Sequence, residues 1–361
     1  MKLIHTSDIH LASKLSTRLP SSKVNARRRE LTENMLRLTR AAEHHGATGI
    51  IIAGDLFDSD RITKRELDSV LSVIKGAPDI KFFYLPGNHE RDVLTKHGDV
   101  PENLYVFGKS WSSVNFGTVT LYGRSETAAG MFDSLMPDPL SVNIVVLHGE
   151  LRDRSAEGDV IGLNDIGDKK IDYLALGHYH SYSATPFGTK RRGYAVYCGT
   201  PEGRGFDETG KKGFCLLNIE NSEVTHTFIP FAKRVLHEIE VDITGALETH
   251  ELEMRISRAI CDIPAADMVR VTFTGGRELE LRCNTDYLTN KVGQGFYYFE
   301  IKDKSKLCTR AEDYRYDKSL RGEFIRLCLE DETLGDKERE MIIHCGLSAL
   351  AGEAFDDEGT I

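Results

Sequence analysis

Long apolar runs are missing from this chain of 361 residues. No stretch reaches the roughly 18 apolar residues that a membrane-spanning helix needs, so no membrane partner is expected. The opening Met1-Lys2-Leu3-Ile4-His5 has no signal-peptide core and runs directly into a strand-like segment; a cytoplasmic location is the expectation. Cysteine is sparse and scattered: seven residues, none at C-x-x-C spacing, which argues against a zinc ribbon and a disulfide framework. Net positive charge is absent too, at −10 overall. That acidity is uneven. Residues 331–361 hold nine acidic residues against Lys337 and Arg339, leaving 44 basic and 47 acidic side chains in the rest. Residues 11–40 lean the other way, with Lys14, Arg18, Lys23, Arg27, Arg28, Arg29, Arg37 and Arg40 against Glu30 and Glu33. Screening over about 8 Å at physiological salt keeps a distant acidic tail from cancelling such a patch.

What is present is ordinary globular material, 40% hydrophobic and 28% charged, long enough for two domains. Strand and helix signals alternate at first. Lys2–Thr6 reads as a strand, 24–45 as one helix ending at Gly46, 49–53 as a buried strand, 63–76 as a helix and 82–85 as a strand. Further strands are expected at 103–107, 118–122, 143–147, 173–176, 193–197, 213–219 and 223–231. The character changes near 232–236. A strand at 236–241, a helix at 248–260, a hairpin of 268–274 with 277–282 around Gly275-Gly276, and a strand at 296–301 form a small α+β unit. Two helices, 318–330 and 336–351, follow; Leu320, Phe324 and Leu327 form an apolar stripe on the first. Layered sheets flanked by helices are the expected architecture.

Five short motifs stand at the ends of the early apolar runs: Asp8-Ile9-His10, Gly54-Asp55, Gly87-Asn88-His89, His148-Gly149 and Gly177-His178-Tyr179-His180. Each has a bland reading. A lone Gly-Asp is commonly a turn, and a lone histidine at a strand end is commonly a packing residue. Together they offer only oxygen and nitrogen donors, and α/β sheets place their ligands at the carboxyl ends of strands. Such a set suits a pair of divalent metals, which is an apparatus for cleaving phosphate esters. His89 reads either as a ligand or as a proton donor.

The order D-x-H, G-D, G-N-H, H-G, G-H-x-H resembles that of the calcineurin-like metallophosphoesterases. His5-Thr6-Ser7-Asp8-Ile9-His10-Leu11, Gly54-Asp55-Leu56-Phe57-Asp58, Leu85-Pro86-Gly87-Asn88-His89, Tyr197-Cys198-Gly199-Thr200-Pro201 and the stretch Phe206 to Phe214 are similar to the SbcD-type DNA-repair exonuclease branch. The resemblance implies an α/β fold, a layered α-β-β-α metallophosphoesterase sandwich with a smaller α+β cap and C-terminal helices. It implies a nuclease domain over 1–234, a DNA-capping-like unit over 235–305, and a helical segment with an acidic tail over 306–361. It implies one metal held by Asp8, His10, Asp55 and His180 and a second held by Asp55, Asn88, His148 and His178, with Asp55 bridging. Two divalent ions, usually Mn2+ with Fe or Zn as alternatives, would be the cofactors, and His89 the catalytic acid.

The implied function is a metal-dependent phosphodiesterase acting on DNA, an exonuclease or endonuclease. A phosphodiesterase or phosphatase for small nucleotides is the alternative, and a catalytically silent scaffold is a third reading. Arg27, Arg28, Arg29, Lys190, Arg191 and Arg192 are the basic residues expected against the strand; a solvated face is the competing reading for each run. The branch also implies an SMC-like coiled-coil ATPase docked on the C-terminal helices, and leaves a homodimer open. Relatives that carry histidine after G-D-L-F differ from this chain. Asp58 stands there, read as the cap of the following helix in preference to an orienter of a ligand.

Overall fold

A computed structural model of the chain describes residues 1–351 apart from 14, 16–18, 60, 61, 89–93, 95–99, 157, 168, 189–192, 279, 280, 282 and 308–315. Its contacts group into two units, Met1–Leu236 and His237–Ile361.

In the first unit, β1 (Lys2–Thr6) leads to the helices α1 (Ser21–Thr32) and α2 (Asn34–His45), then to β2 (Gly49–Ala53), α3 (Lys64–Lys75), β3 (Lys81–Leu85) and β4 (Leu104–Val106). β5 (Ser112–Phe116), β6 (Val119–Gly123), β7 (Val142–His148), β8 (Glu150–Arg152), β9 (Val160–Gly162) and β10 (Tyr173–Gly177) follow. β11 (Ser183–Phe187), β12 (Gly193–Tyr197), β13 (Gly213–Glu220) and β14 (Glu223–Pro230) complete it. Two six-stranded sheets result, in the orders β14-β13-β1-β2-β3-β4 and β11-β12-β10-β7-β6-β5. Their central strands run parallel: β1 with β2, β2 with β3, and β10 with β7 and β12.

β2 (GIIIA) and β7 (VNIVVLH) are buried along their whole length, as strands covered on both faces must be. Alternation divides the side chains between two cores. Leu3, Ile51, Ala53, Phe83 and Leu85 pack with Leu121, Ile144, Val146 and Ala175 between the sheets. Ile4, Ile50, Ile52 and Phe82 face outward onto Met35, Leu38 and Ala42 of α2 and Leu67, Val70 and Ile74 of α3. Val145, Leu147, Leu174 and Leu176 of the second sheet pack outward on Met131, Phe132 and Ile166, which belong to two short 3-10 helices.

The helix expected over 24–45 is two helices, broken at Glu33. α2 carries the apolar stripe. α1 buries Arg27 and Glu30 beside a single apolar residue, Leu31, so hydrophobic period alone does not define it. Gly46 ends α2 in the left-handed region (φ 67°), its amide bonded to Ala42 and Glu43 carbonyls. α3 begins with a capping box between Thr63 and Glu66.

In the second unit, the strands Leu236–Asp242, Met268–Thr274 and Tyr298–Asp303 form one sheet in that order, with helices Thr249–Ile260 and Thr285–Val292. The expected hairpin around Gly275-Gly276 is not what forms. Met268–Thr274 pairs in parallel with Tyr298–Asp303, and Gly276–Arg277 pairs with Lys306–Leu307 instead. The intervening helix supplies the crossover a parallel pair requires, which local turn chemistry does not reveal. The last helices, Leu320–Glu330 and Asp336–Ala351, bury Ile325 and Cys328 against Ile343 and Leu347. Leu320 and Leu327 of the expected stripe stay 74% and 61% exposed.

Candidate metal centre

The carboxyl ends of β1, β2, β7 and β10 meet at one place, and each delivers a motif there. β1 and β2 are parallel neighbours, so Asp8 and Asp55 emerge side by side: Asp8 N donates to Gly54 O (3.1 Å) and His10 N to Asp55 O (3.0 Å). β7 and β10 pair with His148 opposite Gly177, which brings His178 and His180 to the same mouth. The backbone is left-handed at Asp8, His10 and Asp55, with φ of 49°, 48° and 47°, and φ is 113° at His178. Such conformations cost energy and persist where the surroundings enforce them, commonly at functional sites.

Glycine before these residues is a matter of space. Gly54 has φ 91°, and a Cβ there would lie 2.0 Å from His148 Nδ1. A Cβ on Gly87 would lie 2.0 Å from Asp55 Oδ1, and one on Gly177 would lie 1.8 Å from the Ala53 carbonyl oxygen.

Two groups of side chains offer atoms mutually within 4.8 Å: Asp8, His10 and His180, and Asp8, Asp55 and His148. His10 Nε2 lies 3.2 Å from His180 Nε2 and 3.8 Å from Asp55 Oδ2. His180 Nε2 lies 4.0 Å from Asp8 Oδ1. His148 Nε2 lies 3.4 Å from Asp55 Oδ2 and 3.2 Å from Asn88 Oδ1. Asp8 is common to both groups, and Asp55 Oδ2 faces a histidine of each. His178 enters neither; its backbone amide donates to both carboxylate oxygens of Asp8, at 3.0 and 3.1 Å. Asn88 is present at the site by its amide oxygen. His89, Lys190, Arg191 and Arg192 lie outside the described residues.

The arrangement fits cations. Two of the three histidines bond Nδ1 to a fixed acceptor, Ala53 O for His148 (3.0 Å) and Glu208 Oε1 for His180 (2.8 Å), while Asp58 Oδ1 lies 3.2 Å from His10 Nδ1 as a charge beside the ring and not in hydrogen-bond geometry. A proton on Nδ1 leaves the Nε2 lone pair facing inward, as a metal-binding imidazole requires. Two Nε2 lone pairs 3.2 Å apart repel unless a positive charge joins them. Ligands about 2.1 Å from one ion stand roughly 3.0–3.4 Å from each other, the spacing seen here.

The titration behaviour has the same cause. Burial raises the Asp8 pKa, against the pull of His148 and of the Ser7 hydroxyl, which donates to it at 2.5 Å. Burial also opposes charge on His148, but the Asp55 hydrogen bond and the Asp8 and Asp55 charges outweigh it and lift its pKa to about 9. A proton there stands in for the positive charge that the paired carboxylates demand.

Two sequence expectations change. Arg27 does not face a substrate: it is 1% exposed, with Nη1 3.0 Å from Glu30 and 2.8 Å from Glu202, and Nη2 donating to Gly203 O at 2.6 Å. Arg28 and Arg29, on the other side of α1, are exposed. Asp58 is not the cap of α3, because Thr63 is. It lies beside His10 and accepts from Arg204 Nη1 at 2.9 Å. Of the residues that surround the ligands, Ser7 stands in the stretch His5 to Leu11 that carries part of the family resemblance, whereas Glu208, Arg204 and Lys212 carry no motif of their own. Glu208 and Lys212 stand in the stretch from Phe206 to Phe214 that carries part of the family resemblance, and that is the one signal for them.

Residues 1–182 match the calcineurin-like phosphoesterase family. Over 96% of its length the chain is 24% identical to the DNA double-strand break repair protein Mre11 of Methanosarcina acetivorans, covering 56% of that protein. It is 26% identical to the uncharacterized metallophosphoesterase YhaO of Bacillus subtilis, over 68% of this chain and 64% of that one. It is 23% identical to a subunit of the nuclease SbcCD of Staphylococcus saprophyticus, over 81% of this chain and 85% of that one. The chain thus spans less than two thirds of the first two relatives. Among its described residues no helix is long and apolar enough to cross a membrane. The match takes in β1, β2, β3, β7 and β10 with every candidate ligand from Asp8 to His180, and it makes this chain a member of the calcineurin-like phosphoesterase family, whose centre is a pair of metal ions and whose reaction is hydrolysis of phosphoester bonds.

Proposed function

We propose that the chain is a manganese-dependent phosphodiesterase acting on DNA, in the manner of a repair nuclease. The observation that carries the reading is the convergence of three imidazole Nε2 atoms with the carboxylates of Asp8 and Asp55 at one mouth. In this reading Asp8, His10, Asp55 and His180 hold one ion, and Asp55, Asn88, His148 and His178 the other. When bound, the ions supply Lewis-acid charge and a water acidified toward neutrality.

The protein's own groups do the rest. Asp8 and Asp55 cancel only part of the charge of two divalent ions, so the mouth retains a positive surplus for a phosphodiester despite the acidic average of the chain. The Nδ1 acceptors of His148 and His180 fix those rings with Nε2 aimed inward, and Asp58 stands beside the His10 ring. A cavity of about 360 Å³, lined by Gly87, Asn88, Lys109, Ser125, Thr127 and His148, opens beside the second group and admits substrate. His89 donates a proton to the leaving sugar oxygen, a contribution of roughly 10²–10⁴ in rate.

DNA is favoured by the names of the relatives and by exposed Arg28 and Arg29 on the first helix after Asp8 and His10. Exposed Leu320, Leu327 and Met341 on the last helices are the face we assign to an SMC-like ATPase, to be tested by co-purification of the full chain with such a partner.

The deciding assay supplies Mn2+ with a model diester, then single- and double-stranded DNA, then cyclic and mononucleotide diesters. Degradation of DNA that stops on chelation is expected. Cleavage of the small diesters with DNA left intact would remove the nuclease reading. His89→Ala should keep both ions and lose most turnover; loss of an ion in that variant would make His89 a ligand.

A further inference from the structure

We propose that Arg204 is a positioning residue that fixes two metal-facing histidines at once, an assignment that rests on the dinuclear-metal reading above. Its guanidinium lies between two carboxylates. Nη1 donates to Asp58 Oδ1 at 2.9 Å, while Nε and Nη2 donate to Glu208 Oε1 at 3.0 and 2.6 Å. The Arg204 main-chain amide donates to the other Glu208 oxygen at 2.6 Å.

Each carboxylate in turn faces a different histidine, Asp58 at His10 Nδ1 and Glu208 at His180 Nδ1. The five side chains form an arch, His10–Asp58–Arg204–Glu208–His180, whose two feet are Nε2 atoms 3.2 Å apart. An ionised carboxylate only accepts hydrogen bonds, so His180 Nδ1, bonded to Glu208, carries the proton and its Nε2 presents a lone pair, while Asp58 sets a negative charge 3.2 Å from His10 Nδ1 on the far side of that ring from His180. A guanidinium is planar and donates through a rigid fork, so it sets the spacing of the two carboxylates and through them of the two rings. A lysine, a point charge on a flexible stem, does not. Lys212 Nζ, donating to His180 O at 2.7 Å, holds the main chain at one foot. The His148 ring is held separately, by Ala53 O, so the arch serves the ion of His10 and His180 and not the other.

The test uses the full chain and Mn2+ as the only ligand, read by isothermal titration and by electron paramagnetic resonance. The wild type should take up two ions with the spectrum of an exchange-coupled pair. Arg204→Ala should weaken one ion by about 10–100-fold, the usual effect of losing an outer partner of a ligand, and leave the other near wild-type affinity. The coupled spectrum then gives way to that of an isolated ion, and Arg204→Lys does not restore it.

Two ions at wild-type affinity with a coupled spectrum in Arg204→Ala would overturn the assignment. So would equal weakening of both ions, which marks a general structural role. If Arg204→Ala loses its fold by circular dichroism, Glu208→Gln is read in its place. That variant keeps an acceptor for His180 and removes the charge that Arg204 holds, and the same selective loss is expected and the same results refute. A wild-type chain holding fewer than two ions refutes the metal reading itself and the assignment with it, an outcome separate from the others.

Discussion

Consider Arg27→Met, which keeps the length of the side chain and deletes its guanidinium. In the wild type that group sits at the centre of a buried network. Glu202, wholly buried, would keep Arg37 (3.1 Å) and the amides of Lys233 (2.6 Å) and Arg234 (3.1 Å). Glu30 would keep Arg234 (2.7 Å) and Lys233 (3.3 Å). The Gly203 carbonyl would lose the donor now 2.6 Å away. Breaking a buried ion pair from one side costs about 3–5 kcal/mol, and the donors that remain favour the lower end. An orphaned buried carbonyl adds about 1 kcal/mol. The expected loss is therefore about 3–4 kcal/mol. The single tryptophan, Trp111, lies in the first unit with its indole bonded to Met131 O, so its fluorescence follows that unit alone. With a urea slope of about 2–3 kcal/mol/M, the midpoint should fall by at least about 1 M. Diester turnover per folded molecule and DNA affinity should change by less than about twofold, a criterion set against the tenfold that 1.4 kcal/mol would produce. An unchanged midpoint with weakened DNA binding would refute the argument and return Arg27 to the substrate surface.

Three further outcomes are expected. Arg28→Ala with Arg29→Ala should leave stability within about 0.5 kcal/mol, and should lower DNA affinity while reducing the slope of log K against log salt by about 2; an unchanged slope places both arginines away from phosphate. Glu30 should give acid sensitivity. Burial opposes its ionisation, but hydrogen bonds from Arg234 and Arg27 hold its pKa at about 2, below the ordinary 4.5. Its contribution is full above pH 4.5 and lost as pH falls through 2, so the stability gap between wild type and Glu30→Gln should be about 3 kcal/mol near neutrality and shrink across that window; a gap independent of pH contradicts this. Gly87→Ala should push the Asp55 carboxylate aside and cost on the order of 10²-fold in turnover or more, with Mn2+ uptake weakened. Wild-type kinetics in that variant would show that Asp55 need not stand where it does.

Much of the first unit is legible from residues. Uninterrupted apolar runs mark β2, β7 and β10, and the glycines and acids that end them mark the mouth of the site, because parallel strands deliver their carboxyl ends together. Strands such as β5 (SSVNF) and β11 (SATPF) are not legible. They are sheet edges, polar and largely exposed; β5 alternates in exposure but over only two apolar residues, Val114 and Phe116, and β11 does not alternate at all. The Arg27 network is illegible for a different reason. Three arginines in a row look like a charged surface, and only the approach of Glu202, 175 positions along the chain, turns one of them inward. The parallel pairing in the second unit likewise depends on partners distant in sequence. Asp58 shows how a local rule can select the wrong neighbour: it precedes a helix, but Thr63 caps that helix and Asp58 serves His10.

The left-handed backbone at Asp8, His10 and Asp55 bears on what selection must hold in place. Glycine or asparagine at these positions would relax the chain, so thermodynamic stability and ligand identity pull in opposite directions there. A library of this protein screened only for resistance to heat should drift away from all three residues early. One screened for metal uptake should hold them and collect its stabilising changes elsewhere. The centre is in that sense costly to retain and easily lost wherever metal uptake is not selected.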